Sequence, residues 1–280
     1  MAGTTQKAAA EKLRALHGAG VLVLPNAWDA GSAAVIALAG AQAIATTSGG
    51  IAWSLGRCDG QRLTRAEMIE RVRQIVDAVT IPVTADVEGG YGIAPKDVAL
   101  TVEAVIAAGA VGVNIEDSRA PGGPLFDPAE QAARIEAARA ASVSAGLPEL
   151  FINARTDVFL YGIGVPEARL DDVLARSFAY AKTGADGLFV PGLTGLQAIA
   201  ELAEASPLPI NVMAGPGAPT VTELAAAGVR RVSIGTAITQ AAYTLANRTA
   251  ANLLTTGSYA ELEKALDFST INNMFAADRS

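Results

Sequence analysis

The chain of 280 residues carries a net charge of −7; 51% of its residues are hydrophobic and 18% are charged. This acidic balance argues against nucleic acid or an anionic membrane surface as the main partner, because both would repel it. The single cysteine, Cys58, excludes an internal disulfide and a metal site built from cysteines. We find neither a secretion-signal pattern nor an apolar run long enough to span a bilayer, so we expect a cytoplasmic protein.

Eight short apolar runs follow one another, and each precedes a segment with helical periodicity. The predicted strands occupy residues 21–26, 41–50, 81–86, 111–117, 150–157, 184–192, 208–217 and 229–236. The predicted helices occupy residues 5–16, 28–40, 64–79, 95–109, 128–146, 170–183, a short segment from residue 196, and 220–227. Parallel strands need such crossovers, so eight repeats predict an α/β fold, a single (β/α)8 TIM barrel over residues 1–280. An open doubly wound sheet is the alternative, although no G-x-G-x-x-G follows the first strand.

Residues 237–280 are predicted to form a C-terminal helical extension beyond the eighth repeat. Helical patterns cover residues 237–254 and 258–275, and the second is amphipathic with no obvious place on a finished barrel. The extension could cap the barrel or pack on a neighbouring subunit. We favour the oligomer.

The third predicted strand and the turn after it have the sequence IPVTADVEGGYG, which contains Asp86 and Glu88. Residues two apart on a strand face the same side, so both carboxylates can approach one point. Two neighbouring anions repel each other unless a proton or a cation lies between them. Mg²⁺, with Mn²⁺ as the second choice, is the cation that carboxylates and water suit best. The alternative is two solvated acids at a strand end, or a helix N-cap.

Polar residues recur just after the predicted strands, which in a barrel form one mouth where active sites lie. Asp86, Glu88 and Glu116 are predicted to hold the metal ion, some of them through water. Asp59, in the loop after the second strand, is predicted to hydrogen-bond the groups that ligate the metal rather than the metal itself. The alternative is a solvated rim.

Three further features at this mouth suit a small anionic substrate. Arg155 is placed to clamp a carboxylate, with an ion pair to Asp157 as the alternative. Ser48, Gly49 and Gly50 can offer backbone N–H groups to an anion, with a tight turn as the alternative. Asn211 can orient the substrate, or can satisfy backbone groups at its strand end.

The only histidine, His17, is predicted to lie on the surface of the N-terminal helix, so the mouth has no histidine base. Ser-His-Asp and Cys-His schemes are therefore excluded. A metal ion together with Arg155 would suit a small keto acid whose bond cleavage leaves an enolate. Arg155 and Glu116 are the predicted catalytic residues.

The segments PNAWDAGSA, TTSGGIAWSLGRCDG, TADVEGGYG, VNIEDS and INARTDVFL, in this order, resemble the isocitrate lyase / phosphoenolpyruvate mutase superfamily. The resemblance covers residues 21–236 and implies a (β/α)8 barrel whose eighth helix is exchanged between subunits of a dimer or tetramer. It also implies Mg²⁺ and cleavage or formation of C–C or P–C bonds in keto or hydroxy acids. By resemblance, Asp86 is the direct metal ligand, and Asp59, Glu88 and Glu116 reach the metal largely through water. Residues 48–50 hold the substrate's carboxylate and keto oxygen, and Arg155 binds the substrate.

The loop at residues 118–127 departs from the lyases of the family, because it has neither their lysine nor their cysteine. Val190, Pro191 and Gly192 stand where the mutases and hydrolases carry a histidine. We therefore expect a lyase of oxaloacetate-decarboxylase-like or methylisocitrate-lyase-related type, acting on a small anionic keto acid. A P–C bond enzyme of the mutase or hydrolase type is the first alternative. A barrel that has lost catalysis and only binds a metabolite is the second.

Overall fold

The computed structural model describes residues 2–276, and its fold is a nearly closed barrel of parallel strands surrounded by helices. The strands of these residues are β1 Leu22–Leu24, β2 Asn26–Ala27, β3 Ile44–Thr46, β4 Val83–Asp86, β5 Gly112–Glu116, β6 Phe151–Arg155, β7 Gly187–Phe189, β8 Ile210–Met213 and β9 Arg231–Ser233. Their helices are α1 Thr4–Gly18, α2 Ala30–Leu38, α3 Ser48–Ser54, α4 Arg65–Asp77, α5 Pro95–Ala107, α6 Pro128–Ser144, α7 Arg169–Lys182, α8 Leu196–Ala205, α9 Val221–Ala226, α10 Ala237–Thr256 and α11 Phe268–Ala276. The predicted TIM-barrel class is confirmed.

The first predicted strand is split in two, which is why the described chain has nine strands where eight were predicted. Pro25 lies between β1 and β2 and has no N–H group to donate to a neighbouring strand. β1 pairs with β9, where Leu22 is opposite Arg231. β2 pairs with β3, where Asn26 is opposite Ala45. The two halves of one run therefore close the barrel from both sides.

The register of the strands brings the polar residues of the sequence analysis into neighbouring rows. Asp86 on β4 is opposite Asn114 on β5, which in turn is opposite Asn153 on β6. Two residues further along, Glu116 is opposite Arg155. Because paired residues on adjacent strands point to the same face, these side chains meet at one end of the barrel.

Helix α1 covers the opposite, amino-terminal end of the barrel, and the prediction of a surface position for His17 is wrong. Ala10, Leu13 and His17 share the buried face of α1. The imidazole stacks on Phe151 with ring centroids 3.8 Å apart, and its Nδ1 lies 2.8 Å from the Leu13 carbonyl oxygen. Burial, with the nearby Arg231 charge, lowers the pKa of His17 to about 4. His17 is therefore a neutral core residue far from the mouth.

Residues 48–54 form a helix, α3, where the sequence predicted a strand end and a loop. The helix begins directly after β3 and the N-cap Thr47, so the strand turns into a helix with almost no connection. Glycine is required at position 50, since a Cβ there would lie 2.6 Å from Thr47 Cγ2 and 2.9 Å from Trp28 Cβ. The close packing of α3 against Trp28 explains why these small residues occur together.

Beyond the last strand follow α10, Ala237–Thr256, and α11, Phe268–Ala276, whereas the second helical pattern was predicted over residues 258–275. Within α10, Thr239 is the buried residue, whereas Leu254 is 85% exposed. α11 packs on α2, and Phe268 at its start is 84% exposed. Exchange of these helices between subunits stays a prediction, and residues 277–280 of the extension lie outside the described residues. Across residues 2–276, none of the helices has the length and apolar character needed to cross a membrane.

Candidate active site

A cavity of about 160 Å³ opens at the carboxyl ends of the strands. Its polar wall includes Ser48, Asp59, Asp86, Asn114 and Arg155. Its apolar wall includes Leu160, Phe189, Pro191 and Met213. Carboxylates, a guanidinium and amide groups around so small a space suit a small polar acid. Five of the predicted residues line the cavity, namely Ser48, Gly49, Asp59, Asp86 and Arg155.

Asp86 ends β4 and presents its carboxylate to the start of α3. Its Oδ2 accepts a hydrogen bond from the Ser48 N–H at 3.3 Å, and its Oδ1 accepts one from the Glu88 N–H at 3.4 Å. The Asp86 N–H donates to Thr46 Oγ1 at 2.8 Å, which ties β4 to β3. Both contacts to the carboxylate are long, so its oxygens keep capacity for a further ligand.

Asp59 reaches the same cavity from the loop before α4. Burial raises the pKa of Asp59, and the negative charge of Asp86 raises it further, while hydrogen bonds from Gly60 and Ser48 lower it. The two carboxylates therefore repel each other across the cavity. A cation between them would relieve that repulsion.

Glu88 departs from the strand geometry assumed in the sequence analysis. β4 ends at Asp86, and Glu88 has a left-handed φ of 51°, so the two-residue strand repeat does not extend to it. Its carboxylate accepts hydrogen bonds from the Gln61 N–H and from the Tyr91 hydroxyl, the latter at 3.3 Å. Burial raises the pKa of Glu88 to about 7, and the charges of Asp59 and Asp86 contribute to the increase. Glu88 is not part of the cavity lining, but its charge interacts with those of Asp59 and Asp86.

Arg155 at the end of β6 is held by two carboxylates. Its Nη1 lies 2.9 Å from Glu116 Oε2, and its Nε lies 2.6 Å from Asp157 Oδ1. Burial acts to lower the pKa of Arg155, but Glu116 and Asp157 raise it well above its usual value. The ion pair to Asp157, an alternative in the sequence analysis, is present, and Arg155 faces the cavity as well. Glu116, predicted as part of the metal cluster, directs its carboxylate to Arg155.

A second layer of polar residues, missed by the sequence analysis, supports Asp157 from behind. Ser118 Oγ donates to Asp157 Oδ2 at 2.6 Å, and the Asp157 N–H donates to Asp117 Oδ1 at 3.0 Å. Asp117 in turn accepts from Arg176 Nη1 and from the Tyr180 hydroxyl, each at 3.0 Å. The spacing of Arg176 and Tyr180, four residues apart on α7, was the available sequence signal.

Asn211 and Gly50, two predicted substrate contacts, are not among the residues that line the cavity. The Asn211 side chain is buried inside the barrel, where its Nδ2 donates to the Val212 and Arg231 carbonyl oxygens at 2.8 and 3.1 Å. Satisfying backbone groups was the alternative interpretation of this residue. Gly50 lies against Thr47 and Trp28, one residue further into α3 than the cavity wall.

A metal ion at this site would have to be held largely through water. Among residues 2–276, no group of three or more His, Cys, Asp or Glu side chains is arranged to ligate an ion directly. The Asp86 carboxylate nevertheless lies on the cavity wall with only two long hydrogen bonds. Burial first, and the neighbouring acids second, raise the pKa values of Asp59 and Glu88, so a nearby cation would stabilise their charged forms. Mg²⁺ often keeps several waters and uses one or two carboxylates, so the donor set fits a hydrated divalent cation.

The loop at residues 118–127 contributes no side chain to the described cavity lining. Ser118 is bound to Asp157, and Arg119 forms an ion pair with Glu130 on α6. This loop therefore supplies no lysine or cysteine side chain to the described cavity wall that could act as an acid or base.

The chain is similar in sequence to a known protein family and to several individual proteins. The family model described as phosphoenolpyruvate phosphomutase matches residues 13–254. An uncharacterized protein of Mycobacterium tuberculosis is 38% identical over 221 residues, which cover 79% of this chain and 80% of that protein. The oxaloacetate decarboxylase of a Bradyrhizobium species is 35% identical over 202 residues, which cover 68% of this chain and 66% of that enzyme.

Solved structures share the whole fold. A Burkholderia cenocepacia protein, provisionally described as a lyase/mutase, superposes with a TM-score of 0.92 at 38% identity, covering 99% of this chain and 98% of that chain. An oxaloacetate acetylhydrolase in complex with its product oxalate superposes with a TM-score of 0.84 at 26% identity, covering 96% of this chain and 94% of that chain.

Proposed function

Because the chain belongs to the isocitrate lyase / phosphoenolpyruvate mutase superfamily and is an enzyme of that group of lyases and mutases, we propose that it cleaves a C–C bond of a small α-keto or α-hydroxy carboxylic acid. The preferred reaction is an oxaloacetate-decarboxylase-like cleavage that depends on a divalent cation, Mg²⁺ first and Mn²⁺ second. The observation that carries this proposal is the presence of Asp86 and Arg155 on the wall of one small cavity at the mouth of the barrel.

Arg155 is proposed to bind a carboxylate of the substrate. Its guanidinium is fixed by Glu116 and Asp157, so little rotamer freedom is lost when the substrate binds. The N–H group of Gly49, in the first turn of α3, has no acceptor within the helix and can donate to a second substrate oxygen, since Gly49 lines the cavity. Together these donors would hold the acid in one orientation.

A divalent cation held by Asp86, with Asp59 and Glu88 binding its waters, would supply a Lewis acid for the keto oxygen. Glu116 would keep Arg155 in place while negative charge develops on the substrate. These roles are proposed for Asp86, Asp59, Glu88 and Glu116 because their carboxylates repel one another in one buried region.

The residues 118–127 favour decarboxylation within this family of reactions. Loss of CO₂ from a keto acid leaves an enolate and requires no base to remove a hydroxyl proton, whereas cleavage of a hydroxy acid requires one. The described cavity wall receives no cysteine or lysine from this loop. The 35% identity to an oxaloacetate decarboxylase supports the same choice.

Two other functions stay open as outcomes of the test. The match to the phosphoenolpyruvate phosphomutase family model favours a P–C bond enzyme as the runner-up. The absence of lysine and cysteine from the loop at residues 118–127 would suit a barrel that binds a metabolite without turning it over.

The test is a substrate screen of the purified protein with Mg²⁺, in which oxaloacetate, methylisocitrate and phosphonopyruvate are each followed for pyruvate release. We expect oxaloacetate to be turned over, and Asp86→Ala to reduce kcat/KM by about a hundredfold or more, because a cation ligand stabilises charge in the transition state. Asp171→Ala, at an exposed acid on α7, is the matched control and should retain full activity.

Equal activity of the parent protein and Asp86→Ala would remove the metal mechanism. Pyruvate from phosphonopyruvate alone would select the runner-up. Binding of oxalate with no turnover of the three acids would favour the binding protein.

We also propose that the chain forms a homodimer or homotetramer, with α10 and α11 in the interface. Exposed apolar side chains along these helices support the proposal, and they are Tyr243, Leu245, Leu253, Leu254, Phe268, Ile271 and Phe275. Apolar surface of this extent is costly in water and is typical of a subunit contact.

A further inference from the structure

Asn114, in the middle of β5, lies on the floor of the cavity beside Asp86. The residue is 5% exposed, and its side chain points into the barrel between Asp86 and Asn153. An amide can face a ligand with its oxygen or with its nitrogen, and the two choices select opposite ligand groups. Groups of fixed polarity around Asn114 decide between them.

The first constraint comes from Asn211 through Asn153. Asn211 lies close to two backbone carbonyl oxygens, at 2.8 and 3.1 Å, and a carbonyl can only accept, so the Asn211 atom facing them is Nδ2. Its Oδ1 must then face Asn153, which donates to it from Nδ2 at 3.0 Å. The same Asn153 Nδ2 lies 2.9 Å from Asn114, so the Asn114 atom at this contact is the acceptor, Oδ1.

The second constraint is independent and comes from Arg231 on β9. Its Nη2 lies 3.2 Å from the same oxygen of Asn114. Burial lowers the pKa of Arg231 to about 9, so the guanidinium is still protonated at neutral pH and can only donate. Arg231 is 1% exposed, and within residues 2–276 its Nε and Nη1 have no hydrogen-bond partner. A buried charge with so few partners is costly, so the hydrogen bond to Asn114 supplies one of the few groups that stabilise the Arg231 guanidinium.

Both constraints give the Asn114 amide one orientation. Oδ1 faces down into the barrel and accepts two hydrogen bonds, which leaves Nδ2 facing the cavity. In the described part of the chain this nitrogen has no acceptor. Asn26, the other asparagine on the cavity wall, is occupied at both ends, because its Nδ2 donates to the Thr46 carbonyl oxygen and its Oδ1 accepts from the Ile234 N–H.

We propose that Asn114 is a substrate-binding residue whose Nδ2 donates a hydrogen bond to an oxygen of the bound acid, and that Arg231 is a positioning residue that holds this amide in its donor orientation from beneath the cavity floor. The inference rests on the proposed function only in naming the ligand as a small carboxylic acid. The ligand would then accept hydrogen bonds from two sides, from Arg155 on one wall of the cavity and from Asn114 on its floor. A ligand with an amine or amide nitrogen in place of that oxygen would be rejected, since two donors would meet.

The test measures binding of oxalate, in the presence of Mg²⁺, by titration calorimetry, so that it needs no turnover. We expect Asn114→Ala to weaken oxalate binding about ten- to hundredfold, because a hydrogen bond to a charged group is lost. Asn114→Asp should weaken it more, since a carboxylate would face the anion. Ser142→Ala, which removes a buried hydroxyl of α6 outside the cavity, controls for a general loss of stability.

The positioning role is tested with Arg231→Lys and Arg231→Met. Lysine keeps a buried donor and should retain most of the oxalate affinity, whereas methionine fills similar space without a donor and should weaken binding about as much as Asn114→Ala. Thermal unfolding of each variant separates this effect from misfolding, because a merely structural Arg231 would lower the melting temperature of both variants without changing the affinity of the folded protein.

Unchanged oxalate affinity in folded Asn114→Ala would overturn the inference while leaving the proposed reaction intact. If Asn114→Ala weakens oxalate binding but the parent protein turns over none of the three acids, the inference stands and the proposed reaction is overturned. A parent protein that binds no oxalate would overturn both. A crystal structure of the parent protein with oxalate should show Asn114 Nδ2 within hydrogen-bond distance of a ligand oxygen.

Discussion

The side chain of Arg155 illustrates how far a single residue can be interpreted from sequence. Its partner Asp157 is two positions along the same chain, so this ion pair could be named in advance. Its other partner, Glu116, is adjacent only because β5 and β6 pair in one register, and a slip of one residue would have turned it away. The local contact was predictable, whereas the cross-strand contact required the fold.

His17 gives a prediction at the same scale, because it is the only histidine and its pKa is lowered to about 4. Between about pH 6.5 and pH 4 the unfolded chain takes up a proton that the folded chain does not, so acidification favours unfolding. We expect the free energy of unfolding of the parent to fall by about 3 kcal/mol over this range relative to His17→Gln. Urea unfolding of both proteins at several pH values measures the difference.

Comparison of the two proteins is needed because Glu88 acts in the opposite direction. Its pKa is raised to about 7, so the folded chain binds a proton before the unfolded chain as the pH falls. This contribution is common to the parent and to His17→Gln and cancels in the difference. The imidazole resonances of the single histidine give its pKa directly, and a value at or above 6 would contradict the buried neutral ring.

At the scale of one element, α3 is the part of the site that sequence patterns missed. The run 41–50 is apolar and small enough to be taken for a strand through Gly50, and two consecutive glycines normally argue against a helix. Packing against Trp28 and Thr47 overrides that preference, since only glycine fits. Tertiary contact, not local propensity, determines this helix.

The same contact predicts the effect of a substitution in α3 on the stability of the protein. Gly50→Ala should destabilise the protein by about 1–3 kcal/mol, because the new Cβ would meet Thr47 Cγ2 at 2.6 Å. Gly31→Ala on α2 is the matched control, since the nearest atom to its Cβ would be Asp29 Oδ1 at 3.6 Å. That change should stabilise the protein by about 0.5–1 kcal/mol through helix propensity. Equal shifts in the urea midpoint for the two variants would refute the packing argument.

For the whole molecule, the barrel class was predictable, because eight repeats of an apolar run and a helix leave few alternatives. The split of the first run at Pro25 was not predicted, although the proline was visible, since its effect depends on which neighbours each half meets. The burial of His17 was also missed. It follows from the packing of α1 under the barrel, with Leu13 beside it.

The assembly is the prediction at this scale. Light scattering during gel filtration should give a mass of two or four chains for the parent protein. Leu254→Asp, at a side chain that is 85% exposed in the single chain, should shift the mass toward one chain, because a charge would be buried in the contact. Asn247→Asp, at another exposed position of α10, should leave the mass unchanged. A parent protein of one-chain mass would disprove the oligomer.

Closure of the barrel at Pro25 has a consequence for the folding of the chain during its synthesis. Leu22 pairs with Arg231, and Asn26 reaches Ile234 with its side chain, so the first strand finds its final neighbours only after some two hundred further residues have been made. The cavity floor contains groups from both sides of this seam. During synthesis on the ribosome, the nascent chain would therefore gain its ability to bind a ligand late and in one step, when the last strand docks against the first.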